Sequence, residues 1–115
     1  MPRLIILSKD RSAKQVYISG RMTTIGRNPT NSLVVDRDRV SRKHAVIDWD
    51  GEQYTIIDIG SRNGTFVNGK RIEMQVLANG DNIDIAGYWM RFLAPEQELI
   101  GDESVRLLSE RGNVA

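Results

Sequence analysis

The sequence predicts an all-β protein, an antiparallel β-sandwich, and three observations carry that expectation. Short β-compatible runs of four to six residues recur at roughly ten-residue spacing between residues 3 and 93, the rhythm of a sandwich. No helical periodicity occurs before position 95. Turn dipeptides built from Gly, Asn and Asp punctuate the runs, because these residues tolerate the positive φ angles that tight turns need.

Taken in order, Leu4-Ile5-Ile6-Leu7 and Gln15-Val16-Tyr17-Ile18 are apolar or alternating runs on either side of a polar link, Lys9–Lys14. Met22-Thr23-Thr24-Ile25 follows Gly20, and Ser32-Leu33-Val34-Val35 follows the Asn28-Pro29 breaker, where proline restricts both itself and the residue before it. Ala45-Val46-Ile47-Asp48-Trp49 and Tyr54-Thr55-Ile56-Ile57-Asp58 flank Asp50-Gly51, a hairpin signal. Asn68-Gly69 and Asn79-Gly80 are two further hairpin dipeptides. Asn82-Ile83-Asp84-Ile85 and Tyr88-Trp89-Met90-Arg91-Phe92-Leu93 close the pattern, joined by Ala86-Gly87. Two facing sheets are expected to bury Ile6, Ile18, Ile25, Val46, Ile56, Phe66, Ile83, Ile85 and Phe92.

A chain of 115 residues suits one domain with one continuous core, expected over 1–95. Residues 96–115 read as an acidic linker or tail, with Ser104-Val105-Arg106-Leu107-Leu108 long enough for one or two helical turns. The absence of cysteine excludes disulfides and thiolate metal sites and is compatible with a reducing compartment. The apolar run Leu4–Leu7 is too short for a signal-peptide core, and nothing approaches the ~18 continuous apolar residues of a membrane span. A cytoplasmic monomer with no membrane association is the expectation.

Charge is uneven although the net value is only +1. Between Arg21 and His44 six Lys/Arg face two Asp, whereas five acids face two Arg from Glu96 onward. A basic middle points to an anionic partner. Catalysis finds little support: His44 is the only histidine and sits three residues from Ser41 beside two cations, outside any Gly-x-Ser-x-Gly context. Metal sites of His and Cys are excluded. Neither glycine fingerprint for nucleotides is present, so no cofactor is expected and the chain is read as a non-enzyme. The loop 37–43 contains three Arg and one Lys but also Asp38, and the pI near 8.1 is low for a nucleic-acid-binding domain; that reading is kept as one alternative. A β-sandwich adaptor for an unmodified protein surface is the other alternative.

Three segments concentrate hydrogen-bond donors: Gly26-Arg27, Ser41-Arg42-Lys43-His44-Ala45, and Gly60-Ser61-Arg62-Asn63-Gly64-Thr65-Phe66-Val67-Asn68-Gly69. Each falls between predicted strands, where distant loops are brought together. A phosphate ester carries about −1.5 to −2 charge and several strong acceptor oxygens. A guanidinium fork bonds two of them, and hydroxyl or ammonium groups take others. Binding the peptide main chain calls for a double-ended neutral group such as the Asn63 amide.

In order and spacing these three segments resemble the signature of the forkhead-associated (FHA) domain, over roughly residues 3–93. The resemblance implies an eleven-stranded β-sandwich with binding loops at one end, recognising a phosphothreonine-containing protein or peptide in Ser/Thr-kinase signalling or phospho-dependent assembly. It implies that Arg27 contacts the phosphate, that Ser41 donates its hydroxyl to it, and that Arg42 or Lys43 adds a further contact. Asn63 would bond the ligand backbone, with Arg62 beside it where the family often has a smaller residue. Gly26 and His44 are architectural by the same comparison, and Gly64 is counted with them as a turn residue. Arg39, two residues before Ser41, is expected to meet an acidic side chain a few residues beyond the phosphothreonine.

Overall fold

A computed structural model describes residues 2–7 and 12–94, so the expected tail at 96–115 lies outside the described residues. Among the described residues eleven strands form: β1 (Arg3–Leu7), β2 (Ala13–Tyr17), β3 (Met22–Gly26), β4 (Leu33–Val34), β5 (Ala45–Trp49), β6 (Tyr54–Asp58), β7 (Thr65–Val67), β8 (Lys70–Ile72), β9 (Met74–Val76), β10 (Asn82–Ile85) and β11 (Tyr88–Leu93). They make a six-stranded sheet in the order β2-β1-β11-β10-β7-β8 and a five-stranded sheet in the order β4-β3-β5-β6-β9. The paired strands are antiparallel except β3 and β4, which run parallel through Ile25↔Leu33 and Gly26↔Val34. The all-β sandwich is as expected.

The core lies between the sheets and follows period-two alternation. Leu4 and Ile6 of β1, Ile83 and Ile85 of β10, and Met90 and Phe92 of β11 face Ile25, Ile47 and Ile56 of the other sheet, all almost wholly buried. Eight of the nine expected core residues are buried. The exception is Phe66, which is only half-buried. Thr65 and Val67 point inward instead. The Thr65 hydroxyl donates to Asp58 Oδ2 at 2.7 Å, which sets the parity of β7, and a strand shifted by one residue presents its other face.

The turns divide similarly. Asn68 and Gly69 take φ values of 53° and 83° and join β7 to β8, a hairpin as expected. Asp50-Gly51 opens the β5–β6 hairpin, with Asp50 Oδ1 accepting from the N–H groups of Glu52 and Gln53. Asn79-Gly80 departs from expectation. It connects β9 of one sheet to β10 of the other, strands that are not paired. The dipeptide specifies a local reversal, and the sheet that receives the next strand is set by which face that strand buries.

Register brings the functional loops to one end. Ile25 of β3 pairs with Ala45 of β5, and Ala45 pairs with Asp58 of β6. The last residues of β3 and β6 therefore flank the first residue of β5, and the loops 27–32, 35–44 and 59–64 emerge side by side.

Candidate functional site

Gly26 ends β3 because nothing larger fits. A Cβ there would lie 2.2 Å from the Arg42 carbonyl oxygen and 2.8 Å from Asn31 Nδ2. The close approach lets the two loops bond through their main chains: Arg27 N–H donates to Ser41 O at 3.0 Å, and Asn28 N–H donates to Arg42 O at 3.2 Å. The Asn31 amide reinforces the junction, donating to Arg42 O at 2.8 Å and to Asn28 O at 2.7 Å.

His44 joins the third loop to this pair. Its ring is fully buried. Ser41 N–H donates to Nδ1 at 3.1 Å, and Nε2 lies 2.9 Å from Gly64 O. Nδ1 must accept and Nε2 must donate, so both bonds require the neutral tautomer with its proton on Nε2. The only histidine of the sequence thereby has both ring nitrogens committed to bracing two loops, and it forms no nucleophile–base pair among the described residues. Gly64 has φ 92°, a left-handed conformation suited to glycine. A Cβ there would also meet Arg71 Nε at 2.9 Å and Phe66 Cε1 at 3.2 Å.

Asp58 organises the remainder of the 59–64 loop, and the sequence reading missed it. Its Oδ1 accepts from Gly60 N–H at 3.0 Å and Ser61 N–H at 2.9 Å. Its Oδ2 accepts the hydroxyls of Ser61 and Thr65, and Ser61 Oγ in turn receives Gly64 N–H at 3.0 Å. Burial pushes this carboxyl up, but the hydrogen bonds from Ser61, Thr65 and Gly60 outweigh it and hold the group below its usual range. The available signal was the spacing Asp58-x-Gly60-Ser61, an aspartate positioned to bond its own backbone two and three residues on.

On this frame Arg27, Arg39, Ser41, Arg42, Arg62 and Asn63 line a single recess of 210 Å³ together with Asp38 and Val40. Lys43 is exposed and does not line it. Arg27 Nε donates to Val40 O at 3.0 Å, which aims the guanidinium and leaves its two terminal nitrogens without a protein partner among the described residues. Ser41 Oγ accepts Arg62 N–H at 3.1 Å, so its own proton is free to be donated. Asn63 Nδ2 donates to Arg39 O at 2.6 Å, leaving Oδ1 open. Among the described residues the guanidinium groups of Arg39, Arg42 and Arg62 also have no protein partner. Arg37 is turned away onto Tyr88, 5.3 Å from the ring centroid. The recess thus presents four guanidinium groups and one hydroxyl against a single acid, a donor set for an anion of high charge density.

A family model described as FHA domain matches residues 23–86. The oxoglutarate dehydrogenase inhibitor of Corynebacterium jeikeium is 35% identical over 96 residues, covering 83% of this chain and 67% of that protein. Mycobacterium tuberculosis EmbR, solved in complex with a low affinity phosphopeptide, superposes with a TM-score of 0.68 at 32% identity over 79% of this chain and 24% of that one. A domain from structural and functional work on phosphothreonine-dependent FHA domain interactions superposes with a TM-score of 0.71 at 27% identity, over 81% of this chain and 95% of that one. The chain spans 58% of one curated relative and 67% of another.

Proposed function

This chain belongs to the FHA domain family, a family of non-catalytic binding modules, and on that premise we propose that it recognises phosphothreonine in a partner protein through the recess at Arg27, Ser41 and Asn63. One observation carries the reading. Each of these side chains is tethered by one hydrogen bond and keeps a further donor or acceptor unused among the described residues, and all three residues line a single recess. The Arg27 terminal nitrogens and the Ser41 hydroxyl take the phosphate oxygens, with Arg42 as the further cation. Lys43, outside the recess lining, acts at longer range. The Asn63 Oδ1 accepts a main-chain N–H of the ligand, and Arg62 flanks it. Arg39 meets an acidic residue beyond the phosphothreonine.

Magnitudes favour a strong phosphate dependence. Hydrogen bonds to charged groups contribute about 1.5–3 kcal/mol each, so losing two or three of them on dephosphorylation lowers affinity by a few orders of magnitude. Tethering matters because the side chains are ordered before the ligand arrives, which lowers the entropy lost on binding. Control of a partner by docking, as in Ser/Thr-kinase signalling or phospho-dependent assembly, is the fitting class of activity, and a relative named as an enzyme inhibitor supports it. Calorimetric titration with one peptide in its threonine, phosphothreonine and phosphoserine forms tests the proposal. Phosphothreonine is expected to bind tightest, and equal affinity for the unmodified peptide would refute phosphate dependence.

A further inference from the structure

A second recess, of 420 Å³, shares Arg39 and Asn63 with the first and continues onto Phe66, Asp84 and the Ala86-Gly87 turn. Beyond it the outer face of the six-stranded sheet carries one row of side chains across five strands. Leu7 pairs with Trp89, Trp89 with Asp84, Asp84 with Phe66, and Phe66 with Arg71. Trp89 is 51% exposed and Leu7 59%. Leu7 and Trp89 stand directly opposite each other on neighbouring strands, so their exposed apolar area is contiguous, and tryptophan is enriched among residues that anchor interfaces. Trp49, by contrast, is packed on Tyr54 with ring centroids 4.5 Å apart.

We propose that the phosphothreonine partner continues along this row and places a large apolar side chain on the Trp89–Leu7 pair. The inference rests on the phosphothreonine reading and names a further determinant of the same ligand. Continuity supports a single occupant, because Asn63 lines both recesses and Phe66 and Asp84 lead from the second to Trp89. Adjacent strands lie about 4.8 Å apart, so Trp89 is roughly 10 Å beyond Phe66 and Leu7 one strand further. An extended peptide rises about 3.3 Å per residue, which puts the apolar anchor about three to five residues beyond the ligand residue that lies over Phe66, on one side of the phosphothreonine only. Asp84 Oδ1 is committed to Gly87 N–H at 2.9 Å, which holds the intervening turn in place.

The test uses polar phosphothreonine peptides in which one phenylalanine is walked outward from the phosphothreonine in both directions. The expected profile is a gain of about fivefold or more over a few adjacent positions on one side, with tryptophan emission shifting to the blue on binding. Trp89→Ala and Leu7→Ser, checked for folding by circular dichroism, should each flatten the profile. A flat profile in the wild type, or the same gain in both folded variants, overturns this inference alone. Failure of the polar phosphothreonine peptide to bind at all overturns the phosphothreonine reading and this inference with it.

Discussion

The Ser41 hydroxyl accepts the Arg62 backbone N–H at 3.1 Å across a separation of 21 residues. One bond therefore closes the 35–44 loop onto the 59–64 loop and turns the hydroxyl proton outward. Ser41→Ala removes both effects. Phosphopeptide affinity is expected to fall at least tenfold, with a stability loss of about 1 kcal/mol, read by calorimetry and urea denaturation.

Arg27 is held by its Nε on Val40 O, whereas the loop around it is held by main-chain bonds. Arg27→Ala should therefore leave the circular dichroism spectrum intact and lower affinity at least tenfold. Arg27→Lys should recover little of the loss, since one ammonium cannot hold Val40 O and offer a planar fork as well. Unchanged binding by a folded Arg27→Ala protein would contradict the assignment.

Removing the His44 ring strands the Ser41 N–H and the Gly64 carbonyl and opens a cavity at a fully buried position. His44→Ala is expected to cost about 2–4 kcal/mol, measured by chemical denaturation. Binding should weaken in the same variant although His44 does not line the recess.

At Gly26 the obstacle is backbone: the Arg42 carbonyl oxygen lies 2.2 Å from where a Cβ would sit. Gly26→Ala must part the 27–32 and 35–44 loops. A loss of about 2 kcal/mol or more and a marked loss of phosphopeptide affinity should appear together.

Asp58 links the site to pH. Its folded-state pKa is depressed by the net effect of its hydrogen bonds, so its contribution is present above the unfolded carboxylate value of about 3.9 and is lost as pH falls through the folded value. Thermal melts should show the domain weakening below about pH 4. Asp58→Asn should be less stable at neutral pH, because an amide donor then faces groups that donate, and should lose less on acidification.

Much of the fold was legible. Seven of the nine expected positions join the core between the sheets, because inward and outward residues of a strand are set by a period of two. Val46 is buried but stands between Ala45 and Ile47 of that core and so lies on the other face of β5. Phe66 was misassigned because nothing near it in sequence reveals that Thr65 is held inward by Asp58, seven residues earlier. The Asn79-Gly80 turn was recognised as a turn but not as a passage between sheets. Of the site, Arg27, Ser41 and Asn63 were named from the sequence, while their tethers were not. Val40 O and Arg39 O are main-chain atoms, and any residue supplies a carbonyl.

By itself the sequence determined the class of fold, the identity of the donor residues and their order along the chain. These depend on local backbone preference, short-range alternation and side-chain chemistry. Only the tertiary structure decided that the donors share one recess, which of their atoms stay free, and that Lys43 does not line it. Those outcomes rest on hydrogen bonds between residues 13 to 24 positions apart, whose geometry exists only once the strands have paired in register.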